Sequence, residues 1–356
     1  MTPLFKTILI VSIVSGVIVI ALTSGLVLGL KNTPSKYNDS EEEHVVLNSY
    51  DNTEELIKKY QVINPTTVNE GTEKRIQNRL LTGFENWNRG FKTWKEWGNI
   101  LYITESIYNV HGARLSLADY QRAMDVSLQR ATIIMGDFHN MLIIDNFCAI
   151  HYDFISNGRK SKVMEFVEFN EDSTHGTYVK EGWGSVKDDS YYGLKYFQSD
   201  KEKGEEETQT SRLQNLAVPK FIEKKDVYNS GYTDEQNQKL EIILEGFDMW
   251  NEGIDAYLDW VDEAYDKDAK SSGINEVERT MEQYKEEMEQ LFNEKTIKKI
   301  DFDKILIRED WAAIHYRYRN ESGTDNPSEK YVGDKMQFLK FQEKDGALKI
   351  VASWIQ

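Results

Sequence analysis

The sequence predicts an α+β protein built from two tandem copies of one domain, and three observations support this prediction. First, the block at residues 80–97 recurs at residues 243–260 with a constant offset of 163 residues. Second, large apolar residues in each copy recur at alternating steps of four and three, which is typical of one face of an α-helix. Third, runs of β-branched and aromatic residues follow each helix and indicate strands. Helices that precede a set of antiparallel strands define the α+β class.

Each repeated block is expected to form the centre of one long helix, over roughly residues 72–96 in the first copy and 234–265 in the second. The apolar stripe must be buried against another element, because charged and amide side chains fill most of the other positions. Each block also holds two glycines inside the helix, where each costs about 1 kcal/mol relative to alanine. These glycines indicate a close approach, by packing in preference to a ligand: Gly83, Gly90, Gly246 and Gly253.

The repeat continues beyond the helices into the predicted strands. Residues 149–154 match 313–318, residues 164–169 match 336–341, and Trp183 matches Trp354. Each copy has about 120 residues, a normal size for one domain. In the first copy we expect a strand or bend at 100–112, a helix at 117–135, and strands at 140–156, 162–170 and 177–187. In the second copy we expect a helix at 275–292 and strands at 304–319, 335–342 and 348–355.

An uncharged segment precedes the repeat. Residues 8–30 contain no Asp, Glu, Lys or Arg, and a helix of this length crosses a hydrocarbon core of about 30 Å. We interpret it as an uncleaved signal-anchor that places the globular part outside the cytoplasm. A cleaved signal peptide is the alternative, because Ala21, Ser24 and Gly25 are small enough for a cleavage site. The expected boundaries are a tail at 1–7, the transmembrane segment at 8–30, a linker at 31–66, the first domain at 67–187, a linker at 188–232 and the second domain at 233–356.

The net charge and the cysteine content limit the kinds of partner, disulfide and cofactor that we expect. The formal net charge is −17, which disfavours nucleic acid and anionic lipid headgroups as partners. Cys148 is the only cysteine, so the chain has no internal disulfide. Histidines and acidic residues do not show the clustered spacing of a metal site, and no phosphate-binding loop or nucleophile elbow is present. We therefore expect no metal and no cofactor.

The order of motifs resembles a known family. A long helix is followed by the Tyr-x-Thr-Glu-Ser-x-Tyr run of residues 102–108, then Tyr120, then a strand with His151, and the second copy closes with Phe-x-x-Phe, Asp-Gly and Trp over 338–354. This pattern resembles the SnoaL-like branch of the nuclear transport factor two superfamily. The resemblance implies a cone-shaped barrel, in which helices cover a curved antiparallel sheet and a pocket lies inside. The family hosts isomerases, dehydratases, polyketide cyclases and non-catalytic binding or dimerising modules, so the fold alone does not choose among them.

Candidate site residues come mainly from the first copy. His151 and Asp153 lie two residues apart on a predicted strand and share one face. If that face lines the cone, the pair could abstract and return a proton, with Glu165 on the next strand beside it. The alternative is that Ile150, Tyr152 and Phe154 face the interior instead. The expected pocket also includes possible oxyanion donors and aromatic residues, although such aromatic stripes are more often core: Tyr102, Tyr108, His111, Trp87, Trp94, Tyr120 and Trp183.

The second copy differs at these positions. Arg317 stands in place of Asp153, and Gln337 in place of Glu165. The spacing from Trp260 to Met281 also predicts that the hairpin after the long helix is lost, which leaves a smaller pocket and a packing role.

These observations lead to three hypotheses. The first is a membrane-anchored binding or interaction module, in which the first domain holds a small apolar ligand and the second packs on it as a pseudo-dimer partner. The second is an isomerase- or dehydratase-type enzyme that uses His151 and Asp153. The third is a structural protein that docks another envelope protein through its outer sheet face. Whether the protein is an enzyme stays open at this point.

Overall fold

The computed structural model describes residues 53–60, 68–110, 113–130, 133–156, 158–186, 231–272, 277–294, 297–320 and 331–356. The predicted transmembrane segment at 8–30, most of the predicted linker at 31–66 and nearly all of that at 188–232 lie outside these residues. Residues 53–60 of the first predicted linker instead belong to the first domain, since Leu56 and Tyr60 lie in its core. Within the described ranges, every helix is too short or too polar to cross a bilayer.

The first domain is a six-stranded sheet with helices on one face. Its strands follow the order β2-β1-β6-β5-β4-β3, and the β1–β6 pair is parallel while the other pairs are antiparallel. The elements are α1 Thr53–Lys59, α2 Thr72–Arg89, α3 Phe91–Leu101, β1 Tyr102–Val110, β2 Ala113–Ser116, α4 Leu117–Arg130, β3 Ile133–Ile144, β4 Phe147–Ser156, β5 Arg159–Asp172 and β6 Gly176–Val186.

The second domain repeats this plan. Its strand order is β8-β7-β12-β11-β10-β9, again with one parallel pair, β7–β12. The elements are α5 Asp234–Glu252, α6 Ile254–Ala264, β7 Tyr265–Ser272, β8 Glu278–Arg279, α7 Met281–Glu294, β9 Ile297–Arg308, β10 Trp311–Asn320, β11 Tyr331–Lys344 and β12 Ala347–Ile355. The predicted α+β class is therefore confirmed for both halves, and each half has a sheet of its own.

Each predicted long helix is in fact two helices, and a glycine separates them. Gly90 has φ 137° and ψ 163°, and Gly253 has φ 151° and ψ 171°. Side chains disfavour this positive-φ region, so glycine is required at the break. The apolar stripe runs through the break without interruption, which is why the periodicity predicted one helix in each copy.

The other pair of glycines holds an indole ring against the helix. A Cβ on Gly83 would lie 2.4 Å from Cη2 of Trp97, and a Cβ on Gly246 would lie 2.5 Å from Cζ2 of Trp260. Real Cβ atoms do not approach other carbons this closely, so only glycine leaves room for the ring. The close packing predicted at these positions is therefore present, and it joins α2 to α3 and α5 to α6.

The hairpin expected to be lost from the second domain is present. Strand β7 pairs with β8 in antiparallel fashion after α6, as β1 pairs with β2 in the first domain. The helix that follows also begins at an equivalent point, since Tyr120 lies 23 residues after Trp97 and Tyr284 lies 24 residues after Trp260. The prediction was wrong because it compared the spacing from Trp260 to Met281 with that from Trp97 to Met124, whereas the counterpart of Met124 is Met288, about two helical turns further on. Charged residues on β7 face outward, whereas Ala269 and Ser271 are buried.

Three further elements differ from the prediction. The helix expected at 117–135 ends at Arg130, and the strand expected at 140–156 is two strands that turn at Asp145 and Asn146. The strand expected at 304–319 is likewise two strands that turn at Glu309 and Asp310. Asp145 and Glu309 have φ values of 53° and 51°, a conformation that short polar residues adopt in tight turns.

The outer faces of the two sheets pack against each other. His151 of the first domain lies 6.0 Å from the Phe338 ring and 6.4 Å from the Trp354 ring. His315 of the second domain lies 5.7 Å from both the Phe166 and the Trp183 rings. The contacts are thus reciprocal, and helices cover the opposite face of each sheet. A shared apolar cluster surrounds these rings: Leu142, Ala149, Met164, Phe166, Leu306, Trp311, Ala313, Met336 and Phe338.

An ion pair joins the domains beside this cluster. Both guanidinium nitrogens of Arg308 donate to Glu73, at 2.6 and 2.7 Å, and Glu73 is 4% exposed. The backbone N–H groups of Asn69 and Asp145 donate to the same carboxylate. Burial raises the pKa of Glu73, but these hydrogen bonds and the positive charge of Arg308 outweigh it and hold the pKa below its usual value.

Replacement of Gly83 or Gly246, against which the indole rings pack, should destabilise the domain that contains it. We expect Gly83→Ala and Gly246→Ala each to lower the free energy of unfolding by about 1–3 kcal/mol, because the new methyl group overlaps the indole ring. Gly98→Ala is the matched control. It lies in α3 with its nearest neighbour at 3.6 Å, so it should raise stability by roughly 0.5–1 kcal/mol through helix propensity. Denaturant unfolding followed by circular dichroism measures all three, and a stabilising Gly83→Ala would show that the ring does not rest on this position.

Loss of the Glu73 carboxylate should change stability in a pH-dependent way. The folded-state pKa is below the unfolded one, so the stabilisation is present above the unfolded value and is lost as pH falls through the folded value. We expect Glu73→Gln to cost about 3 kcal/mol at pH 7, since Arg308 loses its buried partner, and to flatten the fall of Tm below about pH 4.5. Glu70→Gln removes an exposed partner of Lys74 and should cost about 0.5 kcal/mol or less. Equal effects from the two variants, measured by calorimetry across pH, would contradict the buried pair.

Candidate functional site

His151 and Asp153 do not line the interior of the first domain. On β4, the side chains of Ile150, Tyr152 and Phe154 belong to the domain core, and strand alternation places His151 and Asp153 on the opposite, outer face. This is a correction of the catalytic pair expected from the sequence. The sequence could not choose the face because both faces of this strand are buried.

The surroundings of His151 keep it neutral. Its side chain is 1% exposed and lies 3.4 Å from the side-chain amide of Asn140 through Nδ1. Burial, followed by the neighbouring His139 and Lys162, holds the pKa of His151 well below its usual range, against the opposite effect of Asp153. A neutral, enclosed imidazole in an apolar interface stabilises packing and has no access to a substrate.

Asp153 belongs to a small ionic group on the same outer face. Its Oδ1 lies 2.7 Å from Nε2 of His139, and its Oδ2 contacts the ammonium group of Lys160. Burial raises the pKa of Asp153, but hydrogen bonds from His139 and Lys160 outweigh it and lower the pKa below its usual value. The carboxylate is therefore held by a histidine and a lysine, which suits a structural role.

The interior of the first domain instead holds Glu165. The hydroxyl of Tyr152 donates to its carboxylate at 2.7 Å, and Tyr108 forms a further hydrogen bond with it. Burial raises the pKa of Glu165 despite these two hydrogen bonds. Burial and the nearby Glu165 also raise the pKa of Tyr102 far above its usual value. Because its pKa is raised, Glu165 stays protonated to a higher pH than an exposed glutamate does.

Most of the aromatic residues expected at a pocket meet in this interior and pack against one another. The Tyr108 and Tyr120 rings stack at 4.3 Å, and Trp94 contacts both Tyr120 and Trp87 at 5.7 and 4.9 Å. Tyr108 also lies against Gly182, whose Cβ would be 2.6 Å from the ring. These side chains form the core, as the alternative interpretation of the aromatic stripe stated.

Two further residues of the expected pocket fall elsewhere. Trp183 lies on the outer face beside His315 and packs against the inter-sheet cluster. His111 lies outside the described residues.

The second domain contains a cavity between its helices and the inner face of its sheet. It has a volume of about 40 Å³, enough for roughly three water molecules. The expectation that this pocket is smaller than that of the first domain stays a prediction. Ten residues from the helices and the inner sheet face line it: Ile243, Gly246, Phe247, Tyr257, Trp260, Tyr265, Ile314, Tyr316, Gln337 and Leu339.

Substitutions between the two copies explain the difference in filling. Tyr257 lines the cavity where the first domain has the larger Trp94. Ser271, which forms a hydrogen bond of 2.9 Å with Ser353, occupies the position of Tyr108. A change from tyrosine to serine removes a whole ring from the interior, and the backbone does not close completely over the space.

The polar groups around the cavity are neutral. The hydroxyls of Tyr257 and Tyr284 lie 2.9 Å apart. Burial raises the pKa of Tyr265 to about 12, although hydrogen bonds with Ser353, Tyr284 and Gln337 oppose the rise. Gln337 replaces the carboxyl group of Glu165, so no charged side chain lines this cavity. Sequence comparison of the copies had found the change at Gln337, but it gave no sign of Ser271 because the hairpins were out of register.

A metal centre is not formed by the described part of the chain, since no group of three or more His, Cys, Asp or Glu side chains converges there. Cys148 is buried, and burial raises the pKa of its thiol well above the usual value. A thiol of this kind is unreactive at neutral pH.

Comparison with known proteins yields likenesses to solved structures alone. No protein-family model matches the sequence, and no curated protein matches it. A protein named as a SnoaL-like polyketide cyclase from a Jannaschia species is 17% identical with a TM-score of 0.28, covering 36% of this chain and 90% of that one. An NTF2-like protein of unknown function from Shewanella oneidensis is 13% identical with a TM-score of 0.26, covering 34% and 98%. A protein named as an isomerase of the SnoaL-like family from Agrobacterium tumefaciens is 13% identical with a TM-score of 0.25, covering 33% and 96%.

TM-scores this low carry no conclusion about function. The element order helix, hairpin, helix and four antiparallel strands occurs in full in each half of the chain. The prediction of two tandem α+β domains with one plan is confirmed, and their assignment to the SnoaL-like family stays a prediction.

Replacement of Glu165 by glutamine should stabilise the protein at neutral pH. Because the folded-state pKa is raised, the favourable protonated state is fully populated below the unfolded pKa, and its contribution is lost as pH rises through the folded value. Gln337 shows that an amide fits the equivalent position. We expect Glu165→Gln to raise Tm by roughly 2 °C or more at pH 7.5 and to leave it unchanged at pH 4.

The control for this prediction is Glu168→Gln on the same strand. Glu168 pairs with Lys180 at 2.7 Å, so this variant should lower Tm slightly at pH 7.5. Scanning calorimetry at both pH values measures the difference. A lower Tm for Glu165→Gln at pH 7.5 would show that the carboxyl group is ionised and well solvated.

Proposed function

We propose that the chain is a tandem SnoaL-like binding module. In this proposal the second domain takes a small ligand, and the first is its packed structural partner. The observation that carries the proposal is the cavity of about 40 Å³ in the second domain, where Tyr257 and Ser271 stand in place of the larger Trp94 and Tyr108. Concave sites with a few polar groups among apolar ones are the usual form of small-molecule sites.

The reciprocal contacts between the sheets support the structural part of the proposal. His151 packs against Phe338 and Trp354, and His315 packs against Phe166 and Trp183. Such an exchange of equivalent contacts has the form of a two-fold symmetric dimer interface. We therefore propose that the two domains act as a pseudo-dimer within one chain, in which the first domain holds the sheet of the second in place.

A change that fills the cavity should abolish ligand binding. Leu339 lines the cavity and is 2% exposed, so Leu339→Phe occupies the space. Thermal-shift measurements of the full chain use a panel of molecules with roughly three to six non-hydrogen atoms. We expect at least one member to raise the Tm of the wild type, because a ligand that binds the folded state stabilises it by mass action, and to leave Leu339→Phe unchanged.

The control variant is Val167→Leu, at the position in the first domain that corresponds to Leu339. It leaves the cavity of the second domain intact and should keep the response to the panel. The binding proposal fails if no member of the panel raises the Tm of the wild type, or if Leu339→Phe responds as strongly as the wild type does.

A second candidate function is proton transfer by Glu165, and one observation favours it. The raised pKa of this carboxyl group, with Tyr108 and Tyr152 hydrogen-bonded to it, is an arrangement that an isomerase-type general acid requires. The close packing of Trp94, Tyr108 and Tyr120 argues against this function, because it leaves little room for a substrate. A Glu165→Gln variant that fails to gain stability at neutral pH would remove this candidate, since the carboxyl group would then be ionised there.

We also propose that residues 8–30 hold the module at a membrane, with the globular part outside the cytoplasm. The support is the absence of charge over this segment. Deletion of residues 1–30 should move the protein from the membrane fraction to the soluble fraction. Protease added to intact cells should cleave the full-length protein; protection from that protease would reverse the proposed orientation.

A further inference from the structure

Two histidines are enclosed between the outer faces of the sheets. His151 is 1% exposed and lies beside the Phe338 and Trp354 rings of the second domain. His315 is also 1% exposed and lies beside two aromatic rings of the first domain. The core of each domain lies on the opposite face of its sheet. Water can therefore reach these imidazoles while both domains stay folded only if the two sheets separate.

The first domain compensates a positive charge on His151 poorly. Burial is the largest cause that holds the pKa of His151 below its usual range, followed by the neighbouring His139 and Lys162. The His139 ring lies 5.1 Å from the His151 ring. Asp153 has the opposite effect, but His139 and Lys160 share its carboxylate. The closed arrangement thus favours the neutral form of His151.

The second domain faces His151 with aromatic rings. The ring centroids of Phe338 and Trp354 lie 6.0 and 6.4 Å from that of His151, whereas a cation–π contact is significant within about 6 Å. These rings therefore give little compensation for the hydration that an enclosed charge loses. A protonated His151 has a lower free energy once the sheets have separated and water reaches its ring.

We propose that the interface between the two sheets is a pH-sensitive switch, in which protonation of His151 separates the outer faces while each domain stays folded. The switch needs no ligand, so it is independent of the binding function proposed above. Separation exposes in acid an aromatic surface that is covered at neutral pH: Phe166, Trp183, Trp311, Phe338 and Trp354.

The direction and size of the pH effect follow from the two environments of His151. In the separated state the imidazole is hydrated and titrates near its ordinary pKa of about 6.5, whereas in the closed state its pKa is well below that value. The closed state is therefore fully favoured above about pH 6.5. Below it, the ratio of separated to closed molecules rises about tenfold per pH unit, until pH reaches the pKa of the closed state.

The ion pair between Glu73 and Arg308 holds the domains together independently of this titration. Burial raises the pKa of Glu73, but hydrogen bonds from Arg308 and from two backbone N–H groups outweigh it and keep the pKa below its usual value. The carboxylate is therefore charged at pH 5.5 and at pH 7.5. A change in separation between these two pH values does not come from loss of this pair.

The experiment measures thiol labelling of the full chain that carries Met336→Cys. Met336 is 1% exposed and belongs to the inter-sheet cluster, so a thiol at this position reacts when the sheets separate. Cys148, the only native cysteine, is buried in the core of the first domain and reports unfolding of that domain. Each rate is divided by that of free cysteine at the same pH, because the thiolate is the reactive form. Mass spectrometry of peptides distinguishes the two thiols.

Acid should increase labelling at position 336 and leave Cys148 unlabelled. We expect the corrected rate at position 336 to rise at least about tenfold between pH 7.5 and pH 5.5. In His151→Gln this rise should be about tenfold smaller, because glutamine stays neutral. The matched control is His175→Gln. His175 is exposed and pairs with Asp172 at the turn between β5 and β6, so this variant should leave the rise unchanged.

Two further variants test the proposal even if His151→Gln fails to fold. Asn140 contacts Nδ1 of His151 at 3.4 Å, so Asn140→Asp places a carboxylate beside the ring and stabilises its charged form in the closed state. The rise in rate should then be at least about fivefold smaller. Glu73→Gln weakens the interface without changing the imidazole, so it should increase the rate by the same factor at both pH values.

Several results would overturn the switch. These are a corrected rate at position 336 that does not rise in acid, or a rise that is as large in His151→Gln or Asn140→Asp as in the parent chain. Labelling of Cys148 in parallel with position 336 would also overturn it, because acid would then unfold the first domain itself. None of these results bears on ligand binding by the second domain, which the thermal-shift panel tests separately.

Discussion

Each domain depends on one close contact, in which an indole ring rests on a helical backbone position that has no side chain. Trp97 lies against Gly83, and Trp260 lies against Gly246. The contact forms only because the helix is interrupted at Gly90 or Gly253, which lets the second helical segment fold back across the first. The ring then fixes the angle between the two helices that cover the inner face of the sheet. The position of the interior, and of everything that lines it, follows from this angle.

Five outer-face positions hold the same residue in both copies: Ala149 and Ala313, His151 and His315, Met164 and Met336, Phe166 and Phe338, and Trp183 and Trp354. The outer face is not identical throughout, since Arg317 stands in place of Asp153. The matched residues contact each other across the interface, so a change on one face requires a compensating change on the other. The interior residues of one domain do not contact the other domain in this way, so they can change without a compensating change there. The interior differs where Tyr108, Trp94 and Glu165 correspond to Ser271, Tyr257 and Gln337.

Most of the fold prediction was derived from the internal repeat. The matching stripes and strands correctly predicted two α+β domains, because burial periodicity is a property of local sequence. The breaks at Gly90 and Gly253 were not visible, since the apolar stripe continues through each of them in phase. The hairpin of the second domain was missed because the charged residues of β7 resemble a loop in sequence, although Tyr265, Ala269 and Ser271 are buried.

The site was predicted only in part, for a related reason. Alternation along β4 separates two faces but does not say which one is inside, and here the sheet of the partner domain buries the second face as thoroughly as the helices bury the first. His151 and Asp153 therefore looked like interior residues. Tyr102, Tyr108, Tyr120 and Glu165 do meet in one interior, yet their total volume, which decides whether a cavity remains, depends on the packing of all neighbours and cannot be read from spacing.

The matched outer faces have a consequence for assembly of the chain. The outer face of each domain can pair with the other domain of the same chain or with a domain of another chain, because all of these faces present matching residues. A newly made domain therefore has more than one possible partner. The covalent connection between the halves converts the correct pairing into an intramolecular event, which is independent of concentration, whereas pairing between chains grows with concentration. Refolding at high protein concentration thus sets a kinetic competition between monomers and interchain assemblies. The connecting residues 187–230 therefore contribute to fidelity of assembly simply by joining the two domains.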